Sequence, residues 1–261
     1  MSKMVVITGG TRGIGRALVE TYLKNGCSVA TFSSKREHTD TLRQDHLGEE
    51  KLYIETLDIK EAKASEVFVE KVLDKFGKID IYIFNSGICQ DKSFSKMSEK
   101  QWQEVLTVNL IATFSMTQAI FQQMQTQTGV KKIFFMTSLA GIDGSFGQGN
   151  YAASKAGLIG LSKTLALEGK KTGIEVNAIS PAALTDMTAP IIEKISNYCK
   201  KKRQPFPASW KIGSAAEVAE SVYQLANLPQ TGTGQIFSVN GYKIEVYQPA
   251  IKVPFEIEGQ R

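Results

Sequence analysis

Tyr151 and Lys155 have the residue types and the spacing of a proton-transferring pair. They lie four positions apart at the start of an apolar-periodic stretch that predicts a helix from Tyr151 to about Gly169, so both side chains project from one helix face. A free phenol has a pKa of about 10, and a nearby ammonium group lowers that pKa by stabilising the phenolate. The pair therefore predicts a general acid or base, although a packed tyrosine beside a solvated lysine has the same pattern.

Ser138 adds a third polar group to this stretch. It follows the apolar run Lys132–Thr137, which predicts a buried strand, and it therefore lies at the carboxyl end of that strand. A hydroxyl at this place could hydrogen-bond a carbonyl oxygen that the phenol of Tyr151 also contacts. We therefore expect the two groups to share one substrate oxygen.

A glycine-rich turn follows the first predicted strand. Met4–Thr8 is apolar and β-branched, and the segment Gly9–Gly15 connects it directly to an amphipathic helix. Glycines at this spacing let backbone N–H groups approach a pyrophosphate at the helix N-terminus. The residues predicted to bind a dinucleotide here are Gly9, Thr11, Arg12, Gly13, Ile14 and Gly15.

The second predicted strand, Ser28–Phe32, ends where the adenine ribose binds in such folds. An acidic residue there would bond the 2′-hydroxyl of NAD, but the sequence is Ser33-Ser34-Lys35-Arg36. Hydroxyl and cationic side chains, with Arg12 in the glycine turn, favour a 2′-phosphate, so we expect NADP. An ordinary polar loop is the alternative interpretation.

Strands and helices alternate along the rest of the chain, which predicts a parallel sheet covered by helices on both faces and a single domain of residues 1–261. One long helix is expected from Glu99 to about Gln125, and a capping box predicts a helix start at Ser214. The proline-containing stretch 183–210 breaks the pattern and is the expected substrate lid. From about residue 242 the tail is expected to be irregular.

The composition is typical of a soluble globular protein of a reducing compartment. The 261 residues are 42% hydrophobic, carry a net charge of +5 and suffice for one large α/β domain. The three cysteines lie far apart and neither histidine has a partner at metal-ligand spacing, so we expect no disulfide and no metal site. The cations are scattered, no signal peptide is evident, and no apolar run reaches about 18 residues. We therefore expect a cytoplasmic protein that binds neither nucleic acid nor membrane.

Taken together, these motifs resemble the short-chain dehydrogenase/reductase family over residues 4–241. The cofactor signature T-G-x-x-x-G-x-G is Thr8–Gly15, and the adenine-contacting aspartate is Asp58. The N-N-A-G motif is Phe84–Gly87, with Phe for the first Asn and Ser for Ala. The tetrad of the family is complete, as Asn109, Ser138, Tyr151 and Lys155.

The resemblance implies a Rossmann-like, doubly wound α/β fold with seven parallel strands in the order 3-2-1-4-5-6-7, and hydride transfer between a nicotinamide and a carbonyl carbon. By analogy, Tyr151 protonates the carbonyl oxygen, Ser138 orients it, and Lys155 binds the nicotinamide ribose and lowers the Tyr151 pKa. Asn109 would hold a relay water, although a structural hydrogen bond explains an Asn there equally well. The remaining implied cofactor contacts are Ser33, Ser34, Lys35, Asp58, Ile59, Asn85, Ser86, Gly87, Pro181 and Thr185, together with Tyr151 and Lys155.

Several segments narrow the resemblance to enzymes of fatty acyl chemistry. Gly149–Lys163 and Thr185–Thr188 are similar to 3-oxoacyl-carrier-protein reductases. The short connection after Pro181-Ala182, the segment Leu167–Lys170 and the ending Gly234–Gly241 are similar instead to (3R)-hydroxyacyl-CoA dehydrogenases. The implied substrate is a 3-oxoacyl thioester on acyl carrier protein or CoA. Other alcohols or ketones, such as a polyol, steroid or xenobiotic, and a non-catalytic NADP-binding regulator are the alternatives.

The family also implies an assembly, and the lysines of the sequence suggest a route for the substrate. We expect a homotetramer in which the helices Glu99–Gln125 and Tyr151–Gly169 pair across a two-fold axis, since the apolar positions on the second helix exceed one buried stripe. These positions are Ala156, Ile159, Leu161 and Leu165. Cations expected at the pocket mouth would steer an acidic carrier or CoA phosphates, with general solubility as the alternative. They are Lys131, Lys132, Lys170, Lys171 and Lys200–Arg203.

Overall fold

The protein is a central, mostly parallel sheet flanked by helices, as the computed structural model of residues 2–250 describes it. The described part of the chain contains nine strands rather than the seven predicted. They are β1 (Met4–Thr8), β2 (Ser28–Ser33), β3 (Leu52–Thr56), β4 (Ile81–Phe84), β5 (Lys132–Met136), β6 (Glu175–Leu184), β7 (Gly213–Ser214), β8 (Ile236–Asn240) and β9 (Lys243–Val246). The helices are α1 (Gly13–Lys24), α2 (Arg36–Asp45), α3 (Ala62–Phe76), α4 (Glu99–Leu106), α5 (Thr113–Thr126), α6 (Leu139–Asp143), α7 (Gly149–Gly169), α8 (Ala189–Lys202) and α9 (Ala215–Asn227).

The strand order is β3-β2-β1-β4-β5-β6-β8-β9, with β7 paired to β6 off this path. The predicted order therefore holds for the first six strands and, in β8, for the seventh position. The two additional strands are short. β7 pairs in parallel with the far end of β6, and β9 pairs antiparallel with β8 after the chain reverses at Gly241, which has φ +57°. The stretch after residue 242, expected to be irregular, thus begins with a strand, and residues 251–261 of that tail lie outside the described residues.

Alternate residues of the buried strands enter two separate cores. In β1, Met4 and Val6 pack with side chains of α3, α5 and α7, whereas Val5 and Ile7 pack with side chains of α1 and α9. Every residue of β1 is buried. A central strand covered on both faces needs an unbroken apolar run, and residues 4–7 supply it, followed by the buried hydroxyl of Thr8.

The long helix predicted from Glu99 to Gln125 is interrupted. α4 ends at Leu106, one π-helical turn spans Thr107–Ile111 and carries Asn109, and α5 begins at Thr113. By length and hydropathy alone the stretch Glu99–Thr126 would allow a membrane crossing. Its Met116, Ile120 and Met124, however, are fully buried in the core shared with the sheet, as expected for a helix of an α/β layer.

The expected lid contains regular structure. Helix α8 occupies Ala189–Lys202, with Pro190 in its first turn, where proline is compatible with helix geometry. The capping box predicted at Ser214 is present: the Ser214 hydroxyl accepts from the Glu217 N–H at 3.2 Å, and the Glu217 carboxylate accepts from the Ser214 N–H at 2.7 Å. Helix α8 was therefore not predicted from the sequence. The prolines of this stretch suggested irregular structure, but Pro190 lies in the first turn of α8, where a proline does not break a helix.

Candidate active site

The turn between β1 and α1 has glycines at positions where a residue with a side chain would be strained or would clash. Gly9 and Gly13 have φ values of +67° and +54°, a region that favours glycine. A Cβ atom on Gly15 would lie 2.3 Å from the carbonyl oxygen of Gly9. Helix α1 then begins at Gly13 with no side-chain cap on its N-terminus among the described residues and no acidic residue in its first turn. Its free N–H groups therefore suit an anionic ligand.

Hydrogen bonds connect this turn to the end of β4. The buried Thr8 hydroxyl accepts from the N–H groups of Asn85 and Ser86, at 2.9 and 2.8 Å. The Asn85 amide donates to the carbonyl oxygen of Thr8 at 3.0 Å. Thr8 and Asn85 therefore hold the two turns side by side at the carboxyl edge of the sheet, where ligands bind in open α/β folds.

A cleft of about 430 Å³ opens at this edge. All the residues predicted to bind the cofactor line it except Arg36, Tyr151, Lys155 and Pro181. Those that line it are Gly9, Thr11, Arg12, Gly13, Ile14, Gly15, Ser33, Ser34, Lys35, Asp58, Ile59, Asn85, Ser86, Gly87 and Thr185. Residues that we did not predict from sequence also line it, among them Phe32, His38, Leu57, Lys60, Ile88, Glu104, Val108, Asp186 and Met187.

The two cofactor residues at the sixth strand differ in position. Pro181 lies inside β6, paired with Val239 of β8, because β6 continues to Leu184 and is longer than predicted. Thr185 follows directly and lies against the glycine turn, 3.6 Å from where a Cβ of Gly13 would be. Its N–H donates to the Thr188 hydroxyl at 2.9 Å, which fixes the start of the expected lid.

The end of the cleft next to β2 is polar and carries cations. Ser33, Ser34 and Lys35 all line it, as does Arg12. Lys60 forms an ion pair with Asp58 at 3.3 Å, so the Asp58 carboxylate is locally balanced. Arg36, which we also expected to contribute, begins α2 and is not among the lining residues. Hydroxyl and cationic groups here suit a phosphate better than a ribose hydroxyl.

Lys155 is held deep between α7 and β5. Its side chain is only 3% exposed, and its Nζ donates to the carbonyl oxygen of Met136, the last residue of β5, at 2.8 Å. The same Nζ lies 5.6 Å from the ring centroid of Tyr151. A Cβ on Gly141 would lie 2.7 Å from the Lys155 backbone, so α6 and α7 approach closely. The helix thus brings the predicted pair together.

The pKa values of the pair differ from the sequence prediction. Burial raises the pKa of Tyr151 to about 12, with Cys89 and Asp91 adding to the rise and a hydrogen bond from Ser138 opposing it. Burial lowers the pKa of Lys155 to about 8. The expected lowering of the Tyr151 pKa is therefore wrong for this structure, because burial destabilises the charged form of both groups. Tyr151 is a neutral phenol at pH 7.

Ser138 lies beside the phenol and also caps a short helix. It is the last residue before α6, and its hydroxyl oxygen accepts from the N–H of Ala140 at 3.2 Å. Since that bond uses a lone pair, the hydroxyl proton is free to be donated, and in this structure it is directed to the phenol oxygen of Tyr151. Ser138 is therefore placed to donate to an oxygen next to Tyr151.

Asn109 makes structural hydrogen bonds with its side chain. Its Oδ1 accepts from the N–H of Ile88 at 2.8 Å, and its Nδ2 donates to the Ile88 carbonyl at 3.0 Å and to the Ser154 hydroxyl at 3.1 Å. Ser154 in turn donates to the Tyr151 carbonyl at 2.7 Å. Asn109 therefore links the chain after β4 to the helix that carries Tyr151, and its relay-water role stays a prediction.

The cations that we expected at the pocket mouth are mostly elsewhere. Lys131 and Lys132 lie at the amino end of β5, and Lys170 and Lys171 follow the carboxyl end of α7 before β6. Within a single chain, these four lysines therefore lie at the edge of the sheet opposite to the cleft. Lys132 is buried, and its Nζ lies 3.2 Å from the Glu175 carboxylate. Of that set, only Lys200–Arg203, at the end of α8, lies in the lid region.

An open glycine cradle beside a half-buried tyrosine that is paired with a buried lysine, on a doubly wound sheet, defines a nicotinamide-dependent oxidoreductase. The model of the short chain dehydrogenase family matches residues 3–196. The chain therefore belongs to the short-chain dehydrogenase/reductase family, as the sequence motifs predicted.

Relatives of known name are similar over nearly the whole chain. The 3-oxoacyl-[acyl-carrier-protein] reductase FabG of Aquifex aeolicus is 36% identical over 244 residues, which cover 92% of this chain and 96% of the relative. Acetoacetyl-CoA reductase of Rhizobium meliloti is 35% identical over 245 residues, covering 92% and 98%. Among solved structures, "ElxO with NADP Bound" superimposes with a TM-score of 0.81 at 27% identity, covering 92% of this chain and 98% of that chain.

Proposed function

We propose that this protein is a cytoplasmic, NADP(H)-dependent reductase of 3-oxoacyl thioesters, carried on acyl carrier protein or CoA, which it converts to 3-hydroxyacyl thioesters. The observation that carries the proposal is the half-buried Tyr151 paired with the buried Lys155, next to a cleft with a glycine cradle and a cationic end. Two of its relatives are named for 3-oxoacyl-carrier-protein and acetoacetyl-CoA reduction, and a structural neighbour is described with NADP bound.

The residues present fit the cofactor. The N–H groups of α1 and the glycine turn would hold its pyrophosphate, Arg12, Ser33, Ser34 and Lys35 its 2′-phosphate, and Lys155 its nicotinamide ribose. When bound, the nicotinamide supplies the hydride. Because Tyr151 is protonated at pH 7, it donates a proton to the substrate carbonyl oxygen, and Ser138 orients that oxygen with a second hydrogen bond. Both groups favour the developing alkoxide over the ketone.

We also propose that residues 183–210 close over the substrate and that the chain acts as a single domain. Leu184, Met187 and Tyr198 of this stretch are exposed large apolar side chains, and Met187 also lines the cleft. An apolar surface next to a ligand cleft is suited to cover an apolar ligand.

The direct test is the absorbance of NADPH during incubation with acetoacetyl-CoA, a carrier-protein equivalent and a panel of simple ketones. We expect thioesters to be reduced with a higher kcat/KM than any simple ketone. Faster reduction of a polyol-derived ketone, a steroid or a xenobiotic would replace the thioester in this proposal while leaving the residue roles unchanged. No turnover with any of them would favour a non-catalytic regulator.

We expect the protein to prefer NADPH over NADH by at least about tenfold in kcat/KM. A charge-assisted hydrogen bond contributes about 1.5 to 3 kcal/mol, and the end of the cleft offers two or more partners for a 2′-phosphate. Replacing Ser33 by Asp should shift the preference toward NADH by repelling that phosphate. The control is Ser33→Asn, which has the shape of Asp without its charge and should shift the preference much less. Equal efficiencies with the two cofactors in the unmodified protein would refute the expectation.

We expect a homotetramer, but with a contact surface that differs from the prediction at two of its four positions, since Ala156 is exposed and Ile159 is partly exposed. Leu161 and Leu165 pack against the core of their own chain and are not free for a partner. Ile111, Phe114 and Leu167 are instead exposed on the helices expected to pair. Light scattering should give the mass of four 28.7 kDa chains, and Phe114→Asp should lower it, whereas Leu47→Asp should not. A stable monomer at micromolar concentration would contradict the tetramer.

A further inference from the structure

The segment between β4 and α4 is joined to the residues just before Tyr151 by several hydrogen bonds. The N–H of Lys92 donates to the carbonyl oxygen of Gly147 at 2.7 Å. The Gln148 amide donates to the Asp91 carboxylate at 3.0 Å, and the Asn150 amide donates to the Gln90 carbonyl at 3.1 Å. Residues 88–94 and 144–150 therefore form one continuous border at the amino end of α7. We call it the clasped rim.

The clasped rim presents aromatic surface to solvent. The ring of Phe94 lies against Gly149, 3.3 Å from where its Cβ would be, and meets Trp102 edge-on with ring centroids 6.3 Å apart. Although supported from two sides, Phe94 remains 76% exposed, and Phe146 is 96% exposed. Two exposed phenylalanines on a border fixed by hydrogen bonds cost solvation free energy without adding to the core, which is typical of a binding surface.

The position of the rim identifies what it contacts. Gly149, under the Phe94 ring, is two residues before Tyr151 on the same helix. Cys89, in the same loop as Phe94, accepts a hydrogen bond from Gln148 at 3.4 Å, and Cys89 and Asp91 both act on the pKa of Tyr151. The rim is therefore continuous with the proposed proton donor. Phe94 contacts the helix two residues before Tyr151, and Phe146 lies in the same rim, beside Gly147, whose carbonyl accepts from Lys92.

We propose that Phe94 and Phe146 bind the acyl chain of the substrate and set its preferred length. The proposal rests on the proposed function, because it requires a 3-oxoacyl thioester whose carbonyl lies at Tyr151. A short acyl chain ends before it reaches the aromatic rings, whereas a longer chain is covered by them. Apolar contact area that the transition state retains lowers the activation free energy in proportion to the length of chain that is covered, so kcat/KM rises with each covered methylene group.

The test is a series of 3-oxoacyl-CoA thioesters with 4, about 8 and about 12 acyl carbons, assayed by NADPH absorbance. With Phe94→Ala and with Phe146→Ala, kcat/KM for the longest chain should fall at least about tenfold, while that for the four-carbon substrate changes less than about twofold. Phe94→Leu should restore most of the loss, because it restores apolar area. The control is Leu47→Ala, which removes a 91% exposed side chain between α2 and β3 and should change nothing.

The outcomes separate this inference from the proposed function. A loss of the same factor at every chain length, or no loss at any, overturns the role of the rim and leaves thioester reduction intact. A change of mass in light scattering together with such a uniform loss would assign the two rings to contacts between copies of the chain, and also overturns it. If the unmodified protein reduces no thioester of any length, the proposed function and this inference fail together.

Discussion

Tyr151→Phe is expected to lower the turnover of the best ketone substrate by at least about 10²-fold and up to about 10⁴-fold, the range that general acid catalysis contributes. The change removes only the hydroxyl, and the ring that lies beside the Lys155 ammonium remains. NADPH should therefore still bind, as fluorescence titration can measure. A loss confined to kcat would identify the phenol as a group that acts in the transition state.

The matched control is Tyr242→Phe, the same change at an exposed position between β8 and β9, which should leave turnover unchanged. Activity of Tyr151→Phe within threefold of the unmodified protein, with an intact circular dichroism spectrum, would mean that the proton comes from another group. That result would also show that the stretch from Ser138 to Lys155 does not carry the proton donor.

The pH dependence of the reaction follows from the same phenol. An acid must be protonated to donate, so reduction should slow, and the reverse oxidation should accelerate, as pH rises through the Tyr151 pKa. Because burial raises that pKa to about 12, rather than lowering it as the sequence predicted, reduction should not lose this acid between pH 7 and 9. If another group with a lower pKa controlled reduction, the rate of reduction would fall between pH 7 and 9. The Tyr151→Phe variant would then show the same fall.

The parts of the site that were predicted correctly depend on local sequence. The glycine turn needs only one strand, one turn and one helix, and the steric reason for Gly15 lies six residues away, at the Gly9 carbonyl. Likewise, the spacing of Tyr151 and Lys155 follows from a single helix. Residues close together in sequence were sufficient to predict both features, because each geometry is set within a few turns of backbone.

What sequence could not supply depends on contacts between distant segments. Asn109 in the π turn hydrogen-bonds Ile88 and Ser154, and neither partner is near it in sequence. The position of Lys131 and Lys170 is a different case, because the sequence did contain it. Each lysine precedes a predicted strand and so lies at the amino edge of the sheet, but we assigned both to the carboxyl edge. The Tyr151 pKa depends on burial by the whole fold, which no spacing reports.

Lys155→Met is expected to disable the enzyme without weakening the fold. The ammonium is proposed to bind the nicotinamide ribose, so its loss should weaken NADPH binding at least about tenfold, and the loss of a preorganised charge should lower turnover about 10²- to 10³-fold. Methionine has a similar length and no charge. Lys163→Met, on the exposed side of the same helix, is the control.

The stability of Lys155→Met should be at least that of the unmodified protein at pH 7. Burial lowers the Lys155 pKa to about 8 from its usual 10.5, so the folded state binds this proton less tightly than the unfolded state does. The cost of the buried ammonium is therefore fully present below pH 8 and declines as pH rises toward 10.5.

Removing that cost should raise the free energy of unfolding by about 1 to 3 kcal/mol at pH 7. The loss of the hydrogen bond to Met136 reduces this gain. The gain should also shrink as pH rises from 8 to 10. Urea unfolding at pH 7 and pH 10 measures it. A variant that is clearly less stable at pH 7, and that binds NADPH as tightly as before, would make Lys155 a structural residue that holds α7 to β5, and the proton donor would then lack its proposed partner.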